Sequence, residues 1–362
     1  MASILKRRDS YEVSIRKRGF PAVYKTFPSK REATLWAATI ESEMARGLFI
    51  DRSEAERTTF RELIERYQRE IAPQHRGFKD ENSRLQVFLR LPIADRFVSA
   101  LRSSDFATYR DDRLNGRNGL RLVKPATVKK ELELFRRIID VARREWNIHT
   151  PENPLANVKH PKVRNARTRT LNPGEREYLL AALELAERND DGTFGASARN
   201  YWIKPLVELA IETAMRRGEM LKLTWKNVNL EKQVAHLPIT KNGDPRDVPL
   251  STAAVRILRS LPRNLDGRVF PISEDSFKKV WQRAMRRAMN TYRSDVKNKR
   301  IHHDEDFLQD LRFHDLRHEA TTRLAAKVSN PLELARITGH KDLKMLLRYY
   351  NVTAEELAQK LG

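Results

Sequence analysis

The sequence predicts a multidomain protein that is mainly α-helical and carries small β-sheets, an α+β architecture. The chain has 362 residues, enough for about two or three domains. Apolar and polar residues alternate near the N-terminus and again within residues 233–250, which is typical of short strands. Elsewhere apolar residues recur at helical spacing, most clearly in residues 128–146.

The charge balance points to a polyanionic partner. Lys and Arg number 70 and Asp and Glu 48, so the formal net charge is +22. Such an excess attracts nucleic acid before other ligands. No apolar run approaches the roughly 20 residues of a membrane-spanning helix, and residues 1–8 are not followed by the apolar stretch of a signal peptide. The chain has no cysteine, which excludes disulfides and thiolate zinc sites. We therefore expect a cytoplasmic protein with no membrane partner.

Residues 1–56 are predicted to form a small sheet-plus-helix module. Tyr11–Arg18 alternates in polarity, Ala22–Phe27 follows as a second strand, and Ser29 caps a helix over residues 30–45. Nine Lys or Arg and only two acidic residues lie in the first 31 positions. The outward face of this sheet is therefore cationic, which suits either DNA binding or ordinary solvation.

Residues 57–162 are predicted to form an all-helical domain. The predicted helices span about 59–71, 80–89, 106–114 (capped by Ser104) and 128–146 (beginning at Thr127). The domain ends in a basic segment, residues 157–170, that has no acidic residue and no periodic pattern. The cations of this segment are Lys159, Lys162, Arg164, Arg167 and Arg169. It is either a plain solvated linker or a segment that lies along a phosphate backbone.

Residues 163–362 are predicted to form the largest domain. The expected elements are helices at 173–185 and 202–221, strands at 233–239 and 246–250, and a polar surface loop at 292–305. An Asn-Gly pair in the turn Lys241–Asp244 favours a hairpin between the two strands.

Several residues of this domain are candidates for chemistry. Arg216 and Glu219 are three apart on a predicted helix, so the carboxylate can orient the guanidinium and leave donors for an anion. Taken alone, the two residues fit a plain salt bridge as well. Lys241 lies on the hairpin, where a solvated side chain is the ordinary outcome. His314 and Arg317 also share a helix face, and they combine a proton carrier with a phosphate clamp.

Further along, Gly339 and His340 precede the adjacent tyrosines Tyr349 and Tyr350. Adjacent helical residues face different ways, so at most one of these phenols enters a shared site. The run His302, His303, Asp304, Glu305 and Asp306 lacks the ligand spacing of a metal site. We therefore expect no metal and no other cofactor.

Two arginines, a lysine, two histidines and a tyrosine are the groups that metal-free phosphodiester transfer requires. Guanidinium groups stabilise the charged transition state. A tyrosine oxygen supplies a nucleophile that forms a covalent ester. Lysine and histidine move the two protons.

In this order, the motifs resemble those of the tyrosine recombinase, or phage integrase, family. Its boxes are T-G-x-R-x-x-E, a hairpin lysine, H-x-L-R-H, Gly-His, and a tyrosine nine residues after that histidine. This chain carries Thr213…Arg216…Glu219, Lys241, His314-Asp315-Leu316-Arg317-His318, Gly339-His340 and Tyr349. The motifs cover residues 171–350, and the two preceding modules match by layout. One departure is Ala214, where the family usually has Gly. On a helical backbone this alanine is expected to cost little.

The resemblance implies a role for each matched residue. Arg216 and Arg317 would clamp the scissile phosphate, and His340 would hydrogen-bond it. Tyr349 would form a 3′-phosphotyrosyl link and free a 5′ hydroxyl, which Lys241 would protonate.

The remaining matched residues would assist these groups. His314 would act in proton transfer, Glu219 would support the site from behind, and His318 would lie behind the groups that touch DNA. Four protomers would exchange strands through a Holliday junction, without ATP or metal.

The resemblance also assigns the N-terminal modules. Residues 1–56 would bind separate arm-type DNA sites, and residues 57–162 would close around the crossover site. The candidate arm contacts are Arg16, Arg18, Tyr24 and Lys25. Residues 353–361 would form a tail helix that docks on a neighbouring protomer or on its own domain. The implied partners are double-stranded DNA, further copies in a tetramer assembled on DNA from free monomers, and accessory DNA-bending or directionality factors.

The sequence leaves the biological reaction open. Residues 212–216, 246–251 and 313–320 resemble shufflon-type DNA invertases, whereas the arm module favours the integrase of a phage or other mobile element. A type IB topoisomerase uses similar groups on one duplex. A non-catalytic DNA-binding protein would explain the charge but not the ordered motifs.

Overall fold

The computed structural model describes residues 2–51, 53–150, 152–163, 167, 169–187, 198–240, 243–350 and 358–359. The chain divides into two compact units, Met1–Asn165 and Ala166–Gly362. The boundary falls inside the basic segment 157–170, near the predicted start of the largest domain. The further division of the first unit at residue 56 stays a prediction.

The first unit begins with a three-stranded antiparallel sheet that packs on one helix. Its elements are β1 (Ala2–Arg7), β2 (Ser10–Ile15), β3 (Val23–Phe27) and α1 (Lys30–Ala45), with strand order β1-β2-β3. Val13 and Ile15 of β2 are fully buried in the core that this sheet shares with α1. Ser29 caps α1, because its hydroxyl oxygen accepts the backbone N–H of Glu32. Strand β1 is not among the predicted strands, because its sequence shows little contrast between apolar and polar positions.

The rest of the first unit is helical, as expected. Its helices are α2 (Ser53–Arg57), α3 (Phe60–Glu70), α4 (Phe78–Phe88), α5 (Ser103–Asn115) and α6 (Pro125–Glu145). The rings of Phe88 and Phe135 stack with centroids 3.6 Å apart at the centre of a second hydrophobic core. Two predicted starts are wrong. Helix α5 begins at Ser103, so Ser104 lies inside it, and α6 begins two residues early at Pro125, which suits a first helical position because its missing N–H is not needed there.

The second unit combines helices with a second small sheet. Its helices are α7 (Glu175–Ala181), α8 (Ile203–Thr213), α9 (Arg217–Leu221), α10 (Thr252–Arg259), α11 (Glu274–Lys297), α12 (Asp315–Ala325), α13 (Pro331–Thr338) and α14 (Lys344–Leu347). Its strands are β4 (Val228–Asn229), β5 (Val234–Leu237) and β6 (Arg246–Pro249), antiparallel in the order β4-β5-β6. These elements confirm the mainly helical α+β class.

Two sequence predictions for this unit are wrong. The single helix expected over residues 202–221 is broken, because Ala214 adopts a left-handed backbone with φ 53° and ends α8. The loop expected over residues 292–305 begins later, because Tyr292 belongs to α11. Its ring is buried and stacks on Phe307 with centroids 4.1 Å apart.

Packing near the C-terminus joins three helices. Ala325 of α12, Leu334 of α13 and Leu346 of α14 form a small core, and Tyr349 and Tyr350 pack against it. The predicted tail helix, residues 353–361, lies outside the described residues except for positions 358 and 359. Within the described ranges, no helix combines the length and the apolar character needed to cross a lipid bilayer.

Candidate active site

The break between α8 and α9 positions the first arginine of the predicted set. Arg216 lies just before α9, where its backbone N–H donates to Oε2 of Glu219 at 2.9 Å and its Nη1 donates to Oε1 at 2.8 Å. The two residues therefore pair as predicted, but through the helix N-terminus rather than across a helix face. Nη2 of Arg216 donates to the carbonyl of Gly339 at 3.1 Å.

The second arginine is almost completely buried on α12. Arg317 is 5% exposed. Its Nη1 donates to the carbonyl of Ala214 at 2.5 Å, and its Nη2 donates to that of Thr338 at 2.6 Å. The pKa of Arg317 is lowered to about 9, first by burial and then by the positive charges of Arg216 and Arg246. A buried cluster of cations such as this one is stabilised by an anion.

Arg246 is a further member of this cluster that the sequence predictions omit. Its Nη2 donates to Oε2 of Glu219 at 2.6 Å, and its Nη1 donates to the carbonyl of Ile337. Its Nε is buried and has no hydrogen-bond partner. The sequence does contain a signal for Arg246. It lies two residues before the buried Val248 in β6, and residues two apart in a strand point to the same face.

Glu219 holds two of these cations together. Burial by itself would raise the pKa of this carboxyl, but the charge of Arg246 and the hydrogen bonds from Arg216 lower it on balance. Glu219 therefore stays ionised between the two guanidinium groups. Its oxygens orient both of them without taking up every donor.

The contacts of His340 define its neutral tautomer. Nη2 of Arg317, which can only donate, lies 3.4 Å from Nε2 of His340, so Nε2 carries a lone pair. The ring proton is then on Nδ1, which lies 2.7 Å from the hydroxyl of the buried Thr338. That hydroxyl donates its own proton to the carbonyl of Leu334. Burial first, and then the positive charges of Arg317, Arg216 and Arg246, lower the pKa of His340 to about 3.

The remaining histidines lie at the start of α12. His314 immediately precedes the helix, and its ring lies 5.4 Å from that of His318. The pKa of His314 is lowered to about 4, because the surrounding protein reduces ring hydration and because His318 and Arg317 oppose a further charge. The family resemblance places His318 behind the groups that touch DNA, but its Nδ1 lies 2.5 Å from the phenolic oxygen of Tyr349.

The two adjacent tyrosines diverge, as expected. The Tyr350 hydroxyl donates to the carbonyl of Val328 at 2.7 Å, away from the arginines. The Tyr349 phenol faces His318. Burial raises the pKa of Tyr349, and the charges of Arg348 and Arg317 act against that rise. The Tyr349 phenol thus contacts a histidine of the predicted set, whereas the Tyr350 hydroxyl bonds to a backbone carbonyl.

Two cations of the basic segment, Arg167 and Arg169, are paired with carboxylates rather than left for a phosphate. Nε and Nη2 of Arg167 both donate to the fully buried carboxylate of Asp315 at 2.6 Å, and Nη1 donates to Asp310 at 2.8 Å. Arg169 similarly pairs with the buried Glu175. These two arginines therefore form ion pairs within the second unit.

The other predicted DNA-contacting residues near this site are exposed or lie outside the described residues. The side chains of Lys159 and Lys162 are exposed. Arg164 and the hairpin residue Lys241 are outside the described part of the chain. The base of the hairpin is described, and Thr240 lines a cavity of about 460 Å³ together with Arg246 and His340.

The N-terminal sheet separates the predicted arm contacts into two faces. Tyr24 is 54% exposed, and its hydroxyl accepts from Nη2 of Arg16 at 3.0 Å. Lys25 points to the opposite face, where its Nζ lies 3.5 Å from a carboxylate oxygen of Glu56 and 6.0 Å from the ring centre of Trp36. Arg18 is exposed in the turn after β2.

Among the described residues, no group of three or more His, Cys, Asp or Glu side chains could hold a metal ion. The arrangement consists instead of converging guanidinium groups, neutral imidazoles and one phenol. Such a set can bind a phosphodiester and present an oxygen nucleophile to it.

The fold and this cluster define a site-specific tyrosine recombinase, an enzyme that cleaves and rejoins DNA through a tyrosine. Residues 169–356 match the model of the phage integrase family. The chain belongs to the phage integrase family.

Two curated relatives extend the match across the chain. A shufflon-specific DNA recombinase of Escherichia coli is 36% identical over 302 residues, which cover 82% of this chain and 70% of the relative. A putative integrase/recombinase of Haemophilus influenzae is 32% identical over 352 residues, covering 97% of this chain and 87% of the relative.

A solved structure shares the fold. The lambda integrase tetramer bound to a Holliday junction superposes with a TM-score of 0.58 at 18% identity, covering 94% of this chain and 95% of that chain.

Proposed function

We propose that this protein is the integrase of a phage or other mobile element and that Tyr349 is its nucleophile. The observation that carries the proposal is the convergence of Arg216 and Arg317 on the Thr338–Gly339 turn, beside His340. The ring of Tyr349 packs against the small core that α12, α13 and α14 share. The phosphate of a DNA backbone is the anion that fits a neutral nucleophile and two fixed guanidinium groups.

The reaction exchanges one ester for another. The Tyr349 oxygen attacks the phosphorus, forms a 3′-phosphotyrosyl bond and expels the 5′ oxygen. Arg216, Arg317 and His340 hold the phosphate oxygens and stabilise the charge that develops on them. Because the phosphotyrosyl ester retains the energy of the broken bond, a 5′ hydroxyl can reverse the step without ATP.

We assign protonation of the 5′ oxygen to Lys241, and this assignment rests on the sequence motif. Its support is the position of the described hairpin base, because Thr240 lines the same cavity as His340. His314 is assigned to proton transfer and Glu219 to supporting the guanidinium groups. Lys159 and Lys162 remain candidate backbone contacts, as do Arg16, Arg18 and Tyr24 of the N-terminal module.

The substrate is double-stranded DNA, and we propose that the active assembly is a homotetramer on two crossover sites. Each active site cuts one strand, so two coordinated pairs account for the four cleavages and for a Holliday junction between them. The lambda integrase structure is a tetramer bound to a Holliday junction. Accessory DNA-bending or directionality factors would set the direction of the reaction.

Inversion of a DNA segment is the second candidate reaction. It is favoured by the 36% identity to a shufflon-specific recombinase over 82% of this chain. Integration is favoured by the putative integrase/recombinase that matches 97% of it, and by the exposed Arg16–Tyr24 pair on the N-terminal sheet. The two reactions are distinguished by their products on two DNA substrates. One substrate carries a pair of recovered sites in inverted orientation on one circle, and the other has the two sites on separate molecules.

The test begins by finding the DNA site. The protein is incubated with a library of nicked duplexes, and the DNA that becomes covalently attached is sequenced. We expect one enriched site, attached through its 3′ phosphate. Tyr349→Phe should abolish adducts and retain DNA binding, whereas Tyr350→Phe should form them. Adducts formed by Tyr349→Phe would overturn the assignment of the nucleophile.

A further inference from the structure

We infer that His318, rather than His314, takes the phenolic proton of Tyr349 when the tyrosine oxygen attacks DNA. This inference rests on the proposed function and names the base for its first step. It makes His318 a catalytic residue, because the imidazole touches the reacting oxygen.

The geometry places an acceptor directly on the nucleophile. Nδ1 of His318 lies 2.5 Å from Oη of Tyr349, within the range of a strong hydrogen bond. The two ring planes are inclined by 31°, with their centroids 6.1 Å apart, so the rings meet at their edges rather than stacking. An edge contact is the one in which the lone pair of an imidazole nitrogen can receive an O–H proton.

The surrounding packing holds this pair in place. His318 is in the first turn of α12, and Tyr349 follows α14. Ala325, Leu334 and Leu346 join these helices through a common core. The contact therefore depends on tertiary packing and not on two mobile side chains.

The charges around His318 keep it in the neutral form that a base requires. Burial lowers the pKa of His318. Asp315 on the same helix opposes that change, while Arg348, Arg317 and Arg167 reinforce it. The ring of His314 is a further titratable group, with its centroid 5.4 Å from that of His318. With a neutral ring and a phenolic donor at Nδ1, the ring proton resides on Nε2.

His314 lacks the corresponding contact. It immediately precedes α12, and the structure shows no hydrogen bond between its ring and Tyr349, both of which lie in described parts of the chain. His314 remains a neighbour of Arg317 and is thus better placed for the phosphate than for the phenol.

The step balances without any further reactant. The O–H bond of Tyr349 breaks as its proton forms an N–H bond with Nδ1 of His318. The O–P bond forms, and the bond from phosphorus to the 5′ oxygen breaks, with that oxygen taking the proton that the proposed function assigns to Lys241 and leaving as a 5′ hydroxyl. During rejoining, the 5′ hydroxyl displaces the tyrosine oxygen, and His318 returns the proton to it.

The experiment isolates the attacking group. The recovered site is made with a 5′-bridging phosphorothiolate, whose sulfur leaves without needing a proton, and adduct formation is timed from pH 6 to pH 10. We expect His318→Ala to be about 100-fold slower than wild type near pH 7. The deficit should shrink at high pH, where the phenol ionises unaided, and added imidazole should restore part of the rate. Tyr350→Phe, the matched control, should follow the wild-type profile.

His314→Ala provides the opposing result. We expect its rate deficit to stay constant with pH and to resist imidazole, because it does not remove the base. The inference is overturned if imidazole and high pH rescue His314→Ala instead, or if His318→Ala shows a loss that neither treatment reduces. If wild type itself forms no adduct, the proposed function fails rather than this inference.

A second measurement does not depend on the folding of His318→Ala. In the wild-type protein, ¹⁵N NMR of the ring nitrogens, assigned by the signals lost in His318→Gln, should show an unprotonated Nδ1 and a protonated Nε2. A protonated Nδ1 would mean that His318 donates to Tyr349, and the inference would be wrong.

Discussion

Nη1 of Arg317 donates to the backbone carbonyl of Ala214, a residue 103 positions earlier in the chain. The left-handed backbone of Ala214 ends α8 and turns its carbonyl toward the buried guanidinium. A helical backbone at this position would continue α8 instead. The backbone strain at Ala214 therefore contributes to the orientation of a candidate phosphate clamp.

The same strain predicts the effect of a glycine. The sequence argument that alanine costs little here assumes a helical backbone and is wrong, because the left-handed conformation costs an alanine about 1–2 kcal/mol. Ala214→Gly removes that cost but loses a buried methyl group worth about 0.8 kcal/mol. We expect the free energy of unfolding to change by between about 0 and +1 kcal/mol in urea titrations. Ala210→Gly, inside α8 and also buried, should lose about 2 kcal/mol, of which about 1 is helix propensity and about 0.8 the buried methyl group. A clear loss in both variants would contradict this account.

Cleavage should depend on the guanidinium groups that converge on the Thr338–Gly339 turn. Arg317→Lys and Arg216→Lys retain a charge but cannot form the forked contacts. We expect each to slow adduct formation by about 10²–10³-fold, measured with duplex binding as a control for folding. Arg217→Lys is the matched variant, since Arg217 pairs with Glu274 at the surface, and it should change the rate by less than about threefold. Equal losses in Arg216→Lys and Arg217→Lys would argue against a specific clamp.

Gly339 is predicted to tolerate no side chain. Its φ is 72°, and a Cβ there would lie 2.9 Å from Cδ and Nε of Arg246. Gly339→Ala should cost at least about 1–2 kcal/mol of stability from the backbone alone. It should also slow cleavage, because Gly339 accepts from Arg216. Gly218→Ala is the control, since it lies in α9 and the added Cβ would meet no atom within 4 Å beyond its chain neighbours and its own helix backbone. Thermal unfolding should therefore show no loss.

Acid should destabilise the free protein partly through His340. Its pKa is about 3 in the folded protein and near 6.5 in the unfolded chain, so the unfolded state binds more protons between those values. Stability is therefore lost as the pH falls from about 6.5 toward 3. His340→Gln should reduce the slope of unfolding free energy against pH by at most about 1.4 kcal/mol per pH unit. Urea titrations from pH 7 to pH 4.5 measure it, and an unchanged slope would refute the low pKa.

The two faces of the N-terminal sheet should differ in DNA binding. Arg16→Ala should reduce the slope of log binding constant against log salt by about 0.9, the value for one phosphate contact. Tyr24→Ala should weaken binding as well, because Tyr24 lies on the same face as Arg16. Lys25→Ala should have the smaller effect, since Lys25 faces Trp36 and Glu56. Fluorescence anisotropy with duplex DNA at several salt concentrations gives both quantities.

Much of the site was predictable because its motifs are local. The spacing of Arg216 and Glu219 brings them together through one helix N-terminus. The prediction of Tyr349 rather than Tyr350 rests on the family resemblance, in which the tyrosine lies nine residues after the histidine that matches His340. The capped helix after Ser29 and the hydrophobic stripe of α6 likewise depend on neighbouring residues.

Other features required the folded chain. Arg246 joins Glu219 from a strand 27 residues away, and Arg167 reaches Asp315 across 148 residues. Local patterns carry no information about such partners, because the partner is set by which helix faces pack together.

The amino-acid sequence by itself determined the α+β class, the family and the identities of the candidate reacting groups, since each is written in composition, periodicity or motif order. Only the tertiary structure decided which imidazole meets the phenol and where the backbone turns left-handed at Ala214. The physical reason is that both depend on the packing of α8, α12 and α14. Close packing of residues far apart in the chain leaves a single arrangement for each side chain, which no local pattern specifies.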